Sequence, residues 1–229
     1  MIERYEKKEI VTIDGPAGSG KSTLAKILAQ KIDWTYCNTG SMYRLVTLAV
    51  LEEGIGFDDE KKIVDLCASM EMTFDENFFY WRGKNVTKDL TRFDVTENVS
   101  AVAAITGVRR TLVEWQKQRA SKGKVVMEGR DMGTVVFPDA RYKFYLDASI
   151  DQRVDRRLLE LKAKGENFSK EEIKVQMVGR DKQDSYRMDS PLTIPFDAVV
   201  IDSTEKSIPE VLENMSRFFP EEYRERICV

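Results

Sequence analysis

Histidine is absent from this chain of 229 residues. Its absence excludes Ser-His-Asp hydrolysis, zinc sites built on imidazole and acid–base catalysis by a histidine side chain. Any chemistry that the chain performs must therefore rest on other groups, and charged residues are plentiful at 33% of the sequence.

Cysteine and long apolar runs are also scarce. The three cysteines, Cys37, Cys67 and Cys228, are widely spaced and form no C-x-x-C pattern. This spacing argues against a zinc site or a disulfide framework and predicts a reducing, cytoplasmic setting. No apolar run approaches the ~18 residues of a membrane-spanning helix. Residues 1–8 carry charges without an apolar segment, so we expect neither a membrane partner nor an export signal.

An excess of basic charge is missing as well. The formal net charge is −3, with a sequence pI of about 5.4, which gives no reason to expect a nucleic-acid partner. At this length, with 42% hydrophobic residues, the chain can bury a substantial core in one domain with inserted subdomains.

A glycine-rich segment follows the first apolar run, Ile10–Ile13. It reads Gly15-Pro16-Ala17-Gly18-Ser19-Gly20-Lys21-Ser22-Thr23 and matches G-x-x-x-x-G-K-[ST] between a predicted strand and a predicted helix. In such a loop, backbone N–H groups surround a phosphate chain, Lys21 reaches the β- and γ-phosphates, and the Ser22 hydroxyl can ligate Mg²⁺. The sequence therefore predicts a nucleoside triphosphate site over residues 15–23. Phosphoryl transfer needs no histidine, because it depends on positioning and on charge neutralisation.

Short β-rich apolar runs alternate with helical patterns, which predicts an α/β fold with a parallel sheet covered on both faces. The predicted strands are 9–13, 34–37, 125–127, 142–146 and 198–201, and the predicted helices are 21–33, 41–53, 60–70, 91–105, 107–122, 150–164, 169–185 and 207–218. Residues 71–90 break this alternation. Their short β-rich runs are separated by Asp75-Glu76-Asn77 and Arg82-Gly83-Lys84-Asn85, which predicts a small antiparallel meander.

Several arginines lie where phosphate ligands are expected. Arg130 follows the run Val125–Gly129, so it should project from the carboxyl end of a buried strand, the edge at which α/β sheets bind ligands. Arg153, Arg156 and Arg157 share one face of the first helix in the charged region 150–190. This region is either a solvated surface hairpin or, in a protein with a phosphate-binding loop, a lid that closes over a phosphoryl group.

The chain resembles the bacterial cytidylate kinases, which phosphorylate CMP and dCMP with ATP. The resemblance covers nearly the whole sequence and is carried by Ile13–Thr23, Asn38–Arg44, Glu128–Ala140 and Arg180–Leu192. The block Gly-Arg-Asp-Met-Gly-Thr-Val-Val-Phe-Pro-Asp-Ala at 129–140 is its most specific part. Two positions depart from the family pattern, because Asn38 and Glu128 stand where aspartate is usual, which leaves any metal-binding role of either residue open.

The resemblance implies a P-loop fold with a five-stranded parallel sheet in the order 2-3-1-4-5, flanked by helices. It also implies three parts: a core (1–57, 123–149 and 190–229), an insert for the nucleoside monophosphate (58–122), which contains the meander, and a helical lid (150–189). It further implies a monomer that uses ATP, CMP or dCMP and Mg²⁺.

Site residues are carried over from the family position by position. Residues 15–23 would hold ATP, with Ser22 as a metal ligand. The residues given to substrate binding are Thr39, Tyr43, Arg44, Ser100, Arg109, Arg130, Asp131, Arg180, Asp184 and Arg187. Of these, Thr39, Arg44 and Arg130 would hold the CMP phosphate. The cytosine would be read by Ser100, Arg109 and Asp131. The ribose and its neighbouring phosphate would be contacted by Arg180, Asp184 and Arg187. The residues given to catalysis are Lys21, Arg130, Arg153, Arg157 and Arg180.

The base assignment has a physical rationale of its own. Cytosine carries an exocyclic amine donor where uracil carries a carbonyl acceptor, and the carboxylate of Asp131 can only accept. Asp131 therefore favours cytosine and would face an unmet acceptor in uracil.

Other function classes remain open at this stage. A regulatory GTPase would read guanine with [NT]-K-x-D, but the nearest match, Asp181–Asp184, lacks the first residue and follows a charged helix. A P-loop ATPase acting on nucleic acid conflicts with the acidic pI. Within the kinases, UMP, dTMP or another small acceptor is the main alternative.

Overall fold

The computed structural model describes residues 8–74 and 78–228. Its strands are β1 (Lys8–Asp14), β2 (Thr35–Asn38), β3 (Met72–Phe74), β4 (Phe79–Trp81), β5 (Lys84–Asn85), β6 (Val125–Gly129), β7 (Ala140–Asp147) and β8 (Val199–Asp202). Its helices are α1 (Lys21–Ile32), α2 (Thr39–Glu52), α3 (Glu60–Ser69), α4 (Phe93–Ala104), α5 (Thr106–Arg119), α6 (Ile150–Ala163), α7 (Lys170–Tyr186), α8 (Ile208–Ser216) and α9 (Glu221–Cys228). None of the described helices is long and apolar enough to cross a membrane.

The central sheet has five strands in the order β2-β6-β1-β7-β8. Strand β1 pairs in parallel with β6 and β7, and β7 pairs in parallel with β8. Counted along the chain without the three short strands, this is the order 2-3-1-4-5, which confirms the predicted topology. The carboxyl ends of β1, β6, β7 and β8 therefore lie at one edge of the sheet.

Two compact units make up the structure. The core unit takes the described residues up to Tyr36 and from Lys122 onwards, and the inserted unit is Cys37–Ser121. The finer predicted division into core, insert (58–122) and lid (150–189) stays a prediction.

The inserted unit contains the predicted meander. Strands β3, β4 and β5 form an antiparallel three-stranded sheet in chain order. The turn between β4 and β5 places Arg82 at φ 51° and Gly83 at φ 72°, which confirms the turn predicted there. The other predicted turn, Asp75-Glu76-Asn77, lies outside the described residues.

An apolar cluster of the core unit lies beneath α1, α8 and α9. Strands β1 and β7 contribute Val11, Ile13 and Phe144, and α1 contributes Leu24 and Leu28. The sequence analysis missed α9, whose sequence EEYRERIC carries charge over most of its length. Its Ile227 is nevertheless 2% exposed and belongs to this cluster, and the partly buried Tyr223 packs against the cluster, so two side chains dock a mostly polar helix.

Phe219, between α8 and α9, is central to the cluster. Its ring stacks on Tyr142 with centroids 4.3 Å apart and is 2% exposed, whereas the neighbouring Phe218 is 50% exposed. We predict that Phe219→Ala lowers the free energy of unfolding by about 3–5 kcal/mol, because it removes a buried aromatic side chain and leaves a cavity. Phe218→Ala is the matched control and should cost clearly less. Urea unfolding of both variants checks this, and equal losses would contradict it.

Candidate active site

The phosphate loop connects β1 to α1 in the core unit. A Cβ atom at Gly15, where φ is 145°, would collide with the carbonyl oxygen of Leu146 on β7, so this position requires glycine. Gly20 precedes α1 with φ 93°, again in the left-handed region. The loop therefore packs against the neighbouring strand and turns directly into a helix N-terminus, which is the arrangement that binds phosphate.

Lys21 is folded back into this loop. Its Nζ donates to the carbonyl oxygen of Pro16 at 2.6 Å and to Ser19 Oγ at 3.3 Å. The side chain is buried, and burial lowers the pKa of Lys21 to about 7, a shift that the nearby Arg130 and Arg180 reinforce and Glu128 and Asp14 oppose. The lysine thus belongs to an enclosed cluster of charges at the carboxyl edge of the sheet.

Ser22 and Tyr36 share one carboxylate. Ser22 Oγ donates to Glu128 Oε1 at 2.6 Å, and the Tyr36 hydroxyl donates to the same oxygen at 3.4 Å. No cluster of three or more metal-ligating side chains occurs within residues 8–74 and 78–228. Mg²⁺ needs no such cluster, because it takes one or two protein oxygens and fills its other positions with phosphate and water. A hydroxyl beside a carboxylate at the phosphate loop fits that requirement.

Arg130 emerges from the end of β6, as the sequence predicts, and is bound to Asp184. Its Nε donates to Asp184 Oδ2 at 2.9 Å. Arg187 lies within 4.0 Å of Asp184 and within 3.9 Å of Asp131. The structure therefore brings Arg130, Asp131, Asp184 and Arg187 together within the core unit, although they come from segments more than fifty residues apart (β6 and its following turn, and the end of α7).

Asp184 is the acceptor at the centre of this group. Burial alone would raise its pKa, but Arg130, Arg180 and Arg187 outweigh burial and hold the pKa of Asp184 below its usual value. Arg180 lowers the pKa of Lys21 as well, so its charge acts on both the phosphate loop and Asp184.

Two of the three arginines on α6 contact the phosphate loop. Arg153 donates to the carbonyl oxygen of Ala17 at 3.1 Å and to Asp181 Oδ2 at 2.6 Å. Arg156 donates to the carbonyl oxygens of Ser203 at 2.6 Å and Gly18 at 3.5 Å. Arg157 instead pairs with Glu160 on the same helix. The catalytic roles predicted for Arg153 and Arg157 remain predictions.

The inserted unit begins with a capped helix. The Asn38 side chain accepts the N–H of Ser41 at the start of α2, and Arg44 Nη2 donates to Ser41 Oγ at 2.8 Å. Asn38, which stands where the family usually has aspartate, therefore serves as a neutral helix cap. Thr39, the first residue of α2, is buried beside it.

Arg109 is the most deeply buried cation of the described inserted unit, at 2% exposed. Its guanidinium lies 5.4 Å from the ring centre of Tyr43, and Nη1 donates to the carbonyl oxygen of Ala103 at 3.1 Å. Ser100 is half-buried on α4. Within this unit the structure therefore joins Tyr43 to Arg109, and it places Thr39 and Arg44 on the first turns of α2.

Asp14 has no role in the sequence predictions, although it precedes the phosphate loop directly. It is fully buried, and burial raises its pKa to about 7 against the effect of two backbone hydrogen bonds from Gly133 and Met132.

Ser203 was missed too. Its hydroxyl donates to the carbonyl oxygen of Ser19 in the loop at 3.1 Å, across 184 positions of sequence. No local sequence pattern predicts a hydrogen bond between residues so far apart in the chain.

A parallel sheet in this strand order, with a phosphate loop between β1 and α1 and arginines at the carboxyl edge, defines a P-loop kinase. A family model described as cytidylate kinase matches residues 11–221. The chain belongs to the cytidylate kinase family.

Individual cytidylate kinases are similar in sequence to this chain over most of its length. The chain is 44% identical over 205 residues to a cytidylate kinase of Caldanaerobacter subterraneus subsp. tengcongensis, with 90% of this chain and 92% of that one covered. It is 45% identical over 212 residues to a cytidylate kinase of Limosilactobacillus reuteri, covering 90% and 93%. A cytidylate kinase of Geobacter sp. strain M21 is 43% identical over 216 residues, with 93% of each chain covered.

The lowered pKa of Asp184 makes the free energy of unfolding depend on pH in the acid range. Because its folded pKa lies below the ordinary 3.8, its contribution to stability is present above pH 3.8 and is lost as the pH falls through the lower folded value. We predict that Asp184→Asn, which leaves Arg130 without its buried partner, costs about 3–5 kcal/mol at neutral pH. The difference from wild type should shrink as the pH falls below 3.8.

The control for this prediction is Asp151→Asn, which removes an exposed ion pair between Asp151 on α6 and Lys174 on α7. That variant should lose clearly less stability than Asp184→Asn, because solvent screens an exposed ion pair. Urea unfolding across the acid range measures both variants, and an Asp184→Asn deficit that stays constant below pH 3.8 would contradict the assignment.

Proposed function

We propose that this protein transfers the γ-phosphoryl group of ATP to CMP or dCMP and so forms ADP and CDP or dCDP. The observation that carries the proposal is the group Arg130, Asp131, Asp184 and Arg187, at the same sheet edge as the phosphate loop of a cytidylate kinase family member. It combines cations for a phosphate with carboxylates for a sugar and a base.

The donor side is the loop 15–23 and the N-terminus of α1. Backbone N–H groups of the loop bind the phosphates of ATP, and Lys21 neutralises charge on the β- and γ-phosphates. Lys21 must then exchange its bond to the Pro16 carbonyl oxygen for phosphate oxygens. Arg153 and Arg156, which reach the carbonyl oxygens of Ala17 and Gly18, place α6 directly over the loop and support a lid role for residues 150–189.

Mg²⁺ accompanies ATP in this proposal, with Ser22 as a ligand and Glu128 as the acceptor that orients its hydroxyl. The ion supplies charge neutralisation at the β- and γ-phosphate oxygens. Glu128 is one methylene longer than the usual aspartate of the family, and this length lets it accept from Ser22 and Tyr36 together.

The acceptor needs no general base. A phosphate monoester has a second pKa near 6, about one unit below neutrality, so most of it is a dianion and its oxygen is ready to attack. Arg130 and Arg187 bind this dianion and hold it in line with the γ-phosphoryl group. The absence of histidine from the chain agrees with this chemistry.

Base selection falls to Asp131 in the core unit. Its carboxylate accepts from the exocyclic amine of cytosine and would meet a carbonyl oxygen in uracil. Asp184 and Arg187 contact the ribose and its phosphate. Within the inserted unit, the residues proposed to bind substrate are Thr39, Tyr43, Arg44, Ser100 and Arg109. The burial of Arg109 against Tyr43 supports a fixed rather than a mobile guanidinium there.

A panel of monophosphates tests the proposal. We predict that the wild type forms ADP fastest with CMP and dCMP, and that Asp131→Ala lowers the ratio of kcat/KM for CMP over UMP by about 10- to 100-fold, as for the loss of one buried polar contact. Asp139→Ala is the control, because Asp139 lies exposed in the same block. ADP release in a coupled assay is the measurement. Failure of the wild type to use CMP would end the proposal.

The metal assignment generates a separate prediction. Chelation of Mg²⁺ should abolish ADP formation, and Ser22→Ala should raise the Mg²⁺ concentration needed for half-maximal rate by about tenfold, because one oxygen ligand is lost. Ser121→Ala, an exposed serine outside the proposed site, should leave that concentration unchanged. An unaltered Mg²⁺ dependence in Ser22→Ala would remove Ser22 from the metal site.

A further inference from the structure

Asp14 is a fully buried carboxylate at the junction of β1 and the phosphate loop. Its two oxygens accept separate backbone N–H groups: Oδ1 from Met132 at 2.9 Å and Oδ2 from Gly133 at 2.7 Å. These partners lie 118 and 119 positions away in sequence. The contact therefore joins the residue before the phosphate loop to the residues directly after Asp131.

The segment that receives this contact is one turn of π-helix, Met132–Val136. The N–H groups of Val135 and Val136 both donate to the carbonyl oxygen of Asp131. Met132 and Gly133 stand at the open first positions of the turn, where backbone N–H groups have no acceptor within the helix. Asp14 supplies both acceptors from β1, as a capping side chain does at the start of a helix.

The turn is packed as tightly as it is bonded. A Cβ atom added at Gly133 would lie 2.9 Å from Pro195 Cγ, 3.0 Å from Thr12 Oγ1 and 3.3 Å from Asp14 Oδ2. The backbone at this point therefore cannot move towards β1 or towards residue 195. Asp131, one residue before the first bonded N–H, has its backbone fixed against the same strand that leads into the loop.

We propose that Asp14 is a positioning residue for acceptor recognition: it aligns Arg130 and Asp131 with the phosphate loop by holding the turn at 132–136. The inference rests on the proposed function, in which Asp131 reads the base and Arg130 binds the acceptor phosphate. Asp14 touches neither nucleotide in this scheme. It acts through the backbone of the turn, so its loss should affect the acceptor more than ATP.

The test is Asp14→Asn, which keeps the shape of the side chain. Its amide oxygen can accept one of the two N–H groups, but its NH₂ group then faces the other, donor against donor. We expect the KM for CMP to rise about tenfold and the CMP-over-UMP ratio to fall about tenfold, with less than about a twofold change in the KM for ATP. A larger rise in the KM for ATP than for CMP would show that Asp14 acts on Lys21 instead, and would overturn the proposal.

A matched control is available on the same strand. Thr12 lies two residues before Asp14 on the same face of β1, is fully buried, and its hydroxyl has no hydrogen-bond partner among the described residues. Thr12→Val preserves the shape and leaves both Asp14 bonds in place, so its kinetics should equal those of the wild type. Specificity lost equally in Thr12→Val would show that any change at this strand disturbs the site, which would also overturn the proposal.

Gly133→Ala keeps the proposal testable if Asp14→Asn does not fold. The added methyl group displaces the turn while Asp14 and Lys21 stay chemically intact, so this variant should show the same selective loss for CMP. Wild-type kinetics in Gly133→Ala would contradict the inference. A wild type that uses CMP, and an Asp131→Ala variant that loses base discrimination, show independently whether the proposed function itself holds.

Discussion

Pairing of buried charges governs the carboxyl edge of the central sheet. Lys21 lies in the phosphate loop with Asp14 and Glu128 near it, and Arg130 is bound to Asp184. An unpaired charge at such depth would cost several kcal/mol or would lose its ionisation, so these groups depend on one another for their charged state. A site that binds nucleotide phosphates needs several cationic side chains. They can be buried together here because carboxylates from distant segments of the chain lie beside them.

Local patterns account for most of the fold and for part of the site. The parallel sheet, the phosphate loop and the meander follow from periodicity, glycine placement and turn residues, whereas the order of the strands was implied by the family resemblance. Arg130 was placed correctly because a buried strand ends just before it. The missing parts are contacts across long sequence separations, such as Ser22 with Glu128 over 106 positions. Helix α9 was missed because its polar sequence has only one strongly buried residue, Ile227.

The structure also changes the meaning of residues that sequence treats alike. Arg153, Arg156 and Arg157 share a helical face, yet the first two contact carbonyl oxygens of the phosphate loop and the third pairs with Glu160. A one-residue difference in position thus separates Arg156, which is hydrogen-bonded to the loop, from Arg157, which pairs with an exposed glutamate. Periodicity can assign a face, but it cannot say which side chain meets which backbone oxygen, because that depends on the docking of the whole helix.

The position of Phe219 has a consequence for biosynthesis. The apolar face that α1 presents through Leu24 and Leu28 is completed by residues that follow β8 in the chain, and Phe219 and Ile227 come last among the described ones. On the ribosome, nearly two hundred residues are therefore made before this face can be covered. Until then the nascent chain carries an open apolar surface, so its solubility during synthesis depends on the delay before the final two helices emerge and on chaperones that bind such surfaces in the interval.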